Sequence, residues 1–296
     1  MTIALQGRDT AAEHRLGVAL IAASAIAWSF SGVFARLLTV DVWTAVLLRS
    51  AFGTLYMAIG LLVVHRGRAL VSLRSIGWTG LFVAACGGVS MVAFIGAFFY
   101  TSVANVSVIY ATSPFLAAAL GWFVLRERVA LRTILAAAIA LGGVVIMVAG
   151  SFASGRLLGD FFAFVMAATF AVMAVMLRKN RTLDMLPTNM LVCIIAGLIA
   201  APFARPMTAT PLDLLVLAGF AFTSIALAFF LFLAGARRIP AADSGLITTL
   251  EVPLSPIWVY VLFGENPGLA VIVGGGIVLL AVLWQVAGER RVAGKS

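Results

Sequence analysis

The sequence predicts an all-α integral membrane protein of ten transmembrane helices, arranged as two inverted five-helix repeats. Three observations carry that expectation: an apolar excess too large for a soluble fold, ten apolar runs of spanning length, and a weak internal repeat whose unit holds an odd number of runs. The chain has 296 residues, of which 63% are apolar and 10% charged. Soluble domains have about 45–50% apolar and about 25% charged residues, and need the polar share to cover their surface. Mean hydropathy is +1.14. A soluble enzyme, a disordered chain and a secreted disulfide scaffold are excluded. Cys86 and Cys193 fall inside apolar runs, where they read as small buried hydrophobes and imply no disulfide.

A helix that crosses the hydrocarbon core needs about 20 mostly apolar residues. Such runs occupy 16–38, 42–64, 77–99, 103–124, 132–150, 158–177, 186–204, 212–235, 240–263 and 268–287. The first is too long for the apolar part of a cleaved signal peptide, so it is expected to remain as a span. Connections are short, and Pro202, Pro206, Pro211, Pro240 and Pro267 mark several joints. The organisation that follows is a cytoplasmic segment 1–15, a first repeat 16–150, a second repeat 158–287 and a basic cytoplasmic tail 288–296.

The net charge is +9, from 20 Lys and Arg against 11 Asp and Glu. On a soluble protein this would suggest nucleic acid; here no nucleic-acid partner is expected, and the charge is a topology signal. Arg8 and Arg15 precede span 1. Arg66, Arg68 and Arg74 lie between spans 2 and 3, and Arg126, Arg128 and Arg132 between 4 and 5. Arg178, Lys179 and Arg181 lie between 6 and 7, Arg237 and Arg238 between 8 and 9, and Arg290, Arg291 and Lys295 at the end. These sixteen fall on one side; only Arg36, Arg156 and Arg205 fall on the other, and Arg49 lies inside span 2. The positive-inside rule then puts both termini in the cytoplasm, which requires an even number of spans.

Leu16, Gly17 and Arg36 match Leu158, Gly159 and Arg178 at a shift of 142. Ala104, Asn105, Glu127, Ala149 and Gly150 align with Ala242, Asp243, Glu265, Ala287 and Gly288 at a shift of 138. Each half holds five spans, so the second half enters the membrane from the opposite side. Inverted repeats of this kind recur in secondary transporters, with the substrate near the midplane between the halves.

The stretch from Tyr100 through Ala111-Thr112-Ser113-Pro114 to Arg126-Glu127-Arg128 resembles the fourth span and exit loop of EamA-type drug/metabolite transporters. Leu250-Glu251-Val252-Pro253, followed by Phe263-Gly264-Glu265, is similar to the ninth-span pattern of their second repeat, and Arg49 matches a position where they usually carry Arg. The likeness covers nearly the whole chain. It implies a ten-helix inner-membrane carrier that exports amino acids or related small metabolites. One departure is Val252, which stands where the family often has Pro directly after Glu.

Span 9 carries the densest polar pattern. Ser244, Thr248, Glu251, Ser255 and Trp258 recur at spacings of 4, 3, 4 and 3, on one helical face. Lipid satisfies none of these groups, so the stripe faces protein or a water-filled cavity. A carboxyl at the depth of Glu251 suits a step that takes up and releases a proton; a structural Glu hydrogen-bonded across the halves is the other reading. Arg49 is the one cation deep in a span, at an insertion cost of about 2.5–3.5 kcal/mol or more, so it should point inward to a partner. That partner is Glu251, a substrate carboxylate held bidentately, or a neighbouring helix that Arg49 staples. Arg49 lies roughly 10 Å from the outer end of its span and Glu251 roughly 18 Å from that of its own, so a direct pair is stretched.

Tyr110 and Ser113 of span 4 are the counterparts of Thr248 and Glu251, with Pro114 and Pro253 close behind. A proline inside a helix removes a hydrogen bond and kinks it, so both read as hinges or as packing bends. Ser24, Trp28 and Ser31 share a face of span 1, as do Met166, Phe170 and Met173 of span 6, and Trp28 corresponds to Phe170. They form either plain core or a pathway whose aromatic walls and adaptable thioethers tolerate several amphipathic substrates. Span 3 offers Ser90, Phe94 and Thr101, with Gly87 and Gly88 permitting close approach; span 8 offers Thr223 and Ser224. Asn105 and Asp243 are expected to cap helices or frame gates. Spans 5 and 10, with Gly142, Gly143, Gly274, Gly275 and Gly276, read as closely packed peripheral helices or a subunit contact, for a monomer or weak homodimer.

No GxxxxGK[ST] loop, GxSxG elbow or HExxH motif occurs, and His14 and His65 lie outside the spans; no cofactor or metal is implied. The sequence therefore points to a secondary carrier of small molecules in the lipid bilayer, with protons as a candidate coupling ion. Amino acids are the expected substrates, larger apolar ones favoured by the aromatic walls. A facilitative channel-like or multidrug carrier without proton coupling is the alternative. An intramembrane enzyme would need clustered nucleophile, base or metal ligands, and a sensor would not need Arg49, Glu251 and the polar stripes to converge. Single cysteines placed at 68, 154 and 293 of a cysteine-free variant test the topology. An impermeant thiol reagent added outside whole cells is expected to label position 154 and neither of the others; any other pattern breaks the assignment.

Overall fold

The structure, a computed structural model, describes residues 2–65, 72–73, 76–126, 131–180 and 183–293. Arg66, Arg68, Arg74, Glu127, Arg128, Arg181 and Lys295 of the charge pattern and repeat lie outside the described residues. All regular structure among the described residues is helical. In order the helices are α1 (Thr2–Ser29), α2 (Ser31–Leu37), α3 (Val42–His65), α4 (Gly77–Tyr100), α5 (Val103–Tyr110), α6 (Ser113–Leu125) and α7 (Leu131–Ser154) in the first half. The second half holds α8 (Leu157–Lys179), α9 (Met185–Ala200), α10 (Pro211–Ala221), α11 (Ala228–Ala236), α12 (Ala241–Thr248), α13 (Glu251–Phe263) and α14 (Leu269–Ala293). A π-helical turn, Phe222–Leu227, joins α10 to α11.

Among the described residues, seven stretches are long and apolar enough to cross a membrane: Ala12–Leu37, Val42–His65, Gly77–Tyr100, Val103–Leu125, Leu131–Ala149, Leu157–Lys179 and Pro211–Ala236. The other three expected runs correspond to the shorter apolar helices Met185–Ala200, Glu251–Phe263 and Leu269–Gln285. The run expected to reach 204 ends at Ala200: Ala201 keeps helical angles (φ −51°, ψ −41°) and donates to Gly197 O, and Pro202 after it has no N–H with which to continue the ladder. The run expected over 240–263 is cut at Thr249 and Leu250.

That cut has a counterpart. Val103–Tyr110 and Ser113–Leu125 map residue for residue onto Ala241–Thr248 and Glu251–Phe263 at the shift of 138. Both second pieces end on a left-handed residue at the same offset, Arg126 (φ 53°) and Gly264 (φ 66°). Each break tightens into a three-residue turn, with Thr112 N–H donating to Ile109 O and Leu250 N–H to Ile247 O, both at 3.1 Å. Pro114 and Pro253 were expected to kink continuous helices. Instead each sits in the first turn of the piece after the break, where a missing N–H leaves no intrahelical bond unmade. The interruptions lie before them, and Pro256 is the proline inside α13.

The halves are packed into each other. The largest contacts are α4 with α8, α7 with α14, α3 with α9, α4 with α9, and α1 with α11, each joining the first half to the second. Close approach is symmetric too. A Cβ on Gly159 would collide with the Thr101 backbone, and one on Gly17 with Ile239 and Arg238; Thr101 and Ile239 are equivalent at the 138 shift. Outside the spans, Asp41 caps α3 by accepting from Trp43 N–H (2.9 Å), Thr44 N–H (3.1 Å) and Thr44 Oγ1 (2.6 Å). Burial alone would raise its pKa; these bonds outweigh that and hold the carboxyl below its ordinary value.

Of the glycines of spans 5 and 10, Gly143 and Gly274 serve the contact between α7 and α14 within the chain, and Gly275 packs on Val108. A Cβ on Gly143 would come 2.6 Å from Gly274 O and 2.9 Å from Val278, whereas one on Gly142 meets nothing within 4 Å. Gly143→Val is therefore expected to cost about 1–3 kcal/mol by overpacking. Gly142→Val is expected to stay within about 0.5 kcal/mol. Thermal unfolding of the purified protein in detergent separates the two.

Candidate functional site

A cavity of about 430 Å³ lies between the halves, the size of a small-molecule site. The first half contributes Trp28, Ser31, Arg49, Ser90, Phe94 and Tyr110 to its walls. The second contributes Phe170, Met173, Thr248, Glu251 and Ser255. The two helix breaks deliver the key groups, since Tyr110 ends α5, Thr248 ends α12 and Glu251 begins α13. Ser113 is not part of the wall; it is buried at the start of α6, which packs on α8.

Several wall groups are already engaged. Trp28 Nε1 donates to Ser224 O at 2.9 Å and its ring tilts against Phe232. Ser90 Oγ donates to Met166 O (3.1 Å) and Thr248 Oγ1 to Ser244 O (2.7 Å). Tyr110 and Phe170 meet edge to face at 5.4 Å, and Phe94 meets Phe98 likewise at 4.8 Å. Trp258 turns away from the stripe it was expected to share, stacking on Phe30 at 5.1 Å and donating to Ser29 Oγ at 3.0 Å. Glu251 has no hydrogen bond or ion pair among the described residues.

Arg49 is 4% exposed. Its guanidinium lies over Phe220 at 4.3 Å and Phe94 at 5.5 Å, and Nη2 donates to Ser224 Oγ at 2.8 Å. Ser224 Oγ in turn donates to Phe220 O at 2.6 Å. Of the three partners the sequence left open for Arg49, Glu251 is not met among the described residues. Ser224 sits in the π-helical turn of span 8, a local widening common at functional sites.

Sequence reasoning missed α9. Met185, Thr188, Asn189 and Cys193 line the cavity, as do Ser107, Phe229 and Phe232. A signal existed: Thr188 and Asn189 are polar residues in an apolar run, four residues before Val192 and Cys193 on the same face. Phe229 and Phe232 carried none, because aromatic residues three apart are equally common in plain core.

One end of the molecule is tied across the halves. Arg36 Nε meets Glu265 Oε2 at 2.7 Å, while its Nη1 and Nη2 donate to Phe98 O (2.5 Å) and Thr101 O (3.0 Å). Val103 N–H donates to Glu265 Oε1 (3.0 Å). Thr101 Oγ1 and Asn105 Nδ2 both donate to Asp160 Oδ1, at 2.8 and 2.9 Å. Asn105 therefore ties α5 to α8, and the cap of α5 is Ser102, whose Oγ accepts from Asn105 N–H. Toward the other end the cavity wall continues to Leu177, Met185 and Asn189.

Two interpenetrating helical repeats, each with a broken helix opening on a shared cavity, define a membrane transporter of two-repeat type. The model of the EamA-like transporter family matches residues 15–149 and again 157–286, and the chain belongs to that family, within the drug/metabolite transporter superfamily. No curated protein matches it. One solved structure, described only as "Crystal structure of protein", superposes with a TM-score of 0.66 over 93% of this chain and 98% of that one. At 17% identity that likeness shows the fold alone.

Proposed function

We propose that this chain is a secondary carrier that exports amino acids or related small metabolites across a bacterial-type inner membrane. It does so by alternating access between two inverted five-helix repeats, 16–150 and 158–287, through ten spans with both termini cytoplasmic. The observation that carries this reading is a cavity walled by both repeats, with both broken helices ending on it. Discontinuous helices beside a midplane cavity are how such carriers present polar groups to cargo without exposing them to lipid. In the proposed topology the Arg36–Glu265 ion pair stands at the outer end, and export requires that this end open.

Glu251 supports proton coupling. A carboxyl facing the cavity without a hydrogen-bonding partner is free to exchange its proton with whichever side the cavity faces. Purified protein in proteoliposomes, offered an amino-acid panel with and without a pH gradient, tests this. Transport of large apolar amino acids, stimulated by the gradient, is expected. Glu251→Gln is expected to lose the gradient-driven component and keep exchange. Flux indifferent to the gradient removes the proton role and leaves a facilitative carrier; no transport of any amino acid overturns the substrate assignment.

A further inference from the structure

Arg49 is a buried cation whose demand for partners the described residues do not meet. Of its three guanidinium nitrogens only Nη2 is engaged, with Ser224; Nε and Nη1 have none. The Phe220 and Phe94 rings beneath it favour the charge but accept nothing from N–H groups directed in the guanidinium plane. Ser224 takes one of the two Nη2 hydrogens. The other still pairs with either Nε–H or an Nη1 hydrogen, so one two-pronged edge of the fork stays open whichever is taken. Ser31 Oγ, on the same cavity wall, is likewise buried and unpartnered. It lies one turn before Phe34, which stacks at 5.4 Å on the Phe220 ring that Arg49 covers.

Unmet charged donors in a site shielded from water are expensive, and an anion removes the expense. The anion is a monocarboxylate. Its two oxygens match the two-pronged edge, and its single charge balances Arg49, the basic residue among the described wall residues, when Glu251 is protonated. A phosphate dianion would leave a net charge unpaired among apolar groups. The remaining wall is thioether and ring: Met91, Met166, Met173, Phe170 and Phe229 suit an apolar body. We infer that Arg49, assisted by Ser31, is the carboxylate-binding subsite of the cavity, and that the cargo class is monocarboxylates with an apolar body. Recognition at this pole requires the carboxylate and not the amine. The inference rests on the carrier reading above and names its substrate class.

The test uses four compounds with one body: L-leucine, 4-methylpentanoate (no amine), L-leucinamide (no carboxylate) and 3-methylbutylamine (no carboxylate). Binding is read by thermal stabilisation in detergent and transport by counterflow in proteoliposomes. The first two are expected to bind and move at least tenfold better than the last two. Arg49→Lys keeps the charge and loses the fork, and is expected to reduce both carboxylates at least tenfold. Should that variant fold poorly, Ser31→Ala is expected to weaken the carboxylates several-fold and leave the amides and amines unchanged. Equal handling of leucine and leucinamide, or full activity of Arg49→Lys, overturns the inference. If the wild-type protein carries other compounds but neither carboxylate, the subsite assignment falls and the carrier stands; if it carries nothing in either panel, both fall.

Discussion

No polar group inside a bilayer can turn to lipid for a hydrogen bond, and the architecture follows from that constraint. The chain nevertheless places an arginine, a glutamate and several hydroxyls in its apolar runs, so these must converge where protein encloses them. Interlocked packing of the two halves makes the enclosure. α4 lies on α8 and α1 on α11, while α3 meets α9 and α7 meets α14, each pair crossing from one half to the other. The space left between them is the one place where a helix can break without exposing its backbone to lipid. Both breaks, at Ala111–Thr112 and at Thr249–Leu250, are found there.

The two halves repeat in sequence and in helix boundaries but not in what they place at the cavity. Tyr110 and Thr248 occupy equivalent positions and both line it; Ser113 and Glu251 are equivalent and only Glu251 does. At one end Arg36 and Glu265 close the cluster built on Phe98, Thr101 and Val103. Arg178, the counterpart of Arg36, reaches Ala117 O at 3.2 Å on the opposite end. A symmetric scaffold held in an asymmetric state is what alternating access demands, because the same contacts cannot close both ends at once.

Much of this was legible in the residues. Charges and hydroxyls stand out against an apolar background, so Arg49, Thr248, Glu251 and Ser255 announce a cavity by their spacing alone. The repeat could be read at shifts of 142 and 138, but the breaks could not: Ala111-Thr112 and Thr249-Leu250 share no residue, and Pro114 and Pro253 stand one position out of register. What spacing does not encode is which face ends nearest the cavity. Ser113 has the register of Glu251 but lies against α8, and Met185 and Asn189 reach the wall only because α9 packs between α3 and α4. Nor does it encode tertiary partners. For Arg49 the sequence left a carboxylate or a stapled helix open; its guanidinium rests on Phe220, 171 residues away in sequence, beside a π-helical turn at Ser224 that no local motif announces. Arg36 and Glu265 were each marked by the repeat, but their pairing is a product of the interlocked halves.

The central claim is that cargo crosses by motion of the halves about the cavity, with the Arg36–Glu265 end opening and closing. Replacing both residues by cysteine in a background without Cys86 and Cys193, and bridging them with a short methanethiosulfonate cross-linker, holds that end shut. The account predicts that counterflow in proteoliposomes stops on cross-linking and returns on reduction, while substrate still stabilises the cross-linked protein against heat. Undiminished counterflow with the bridge fully formed would contradict it.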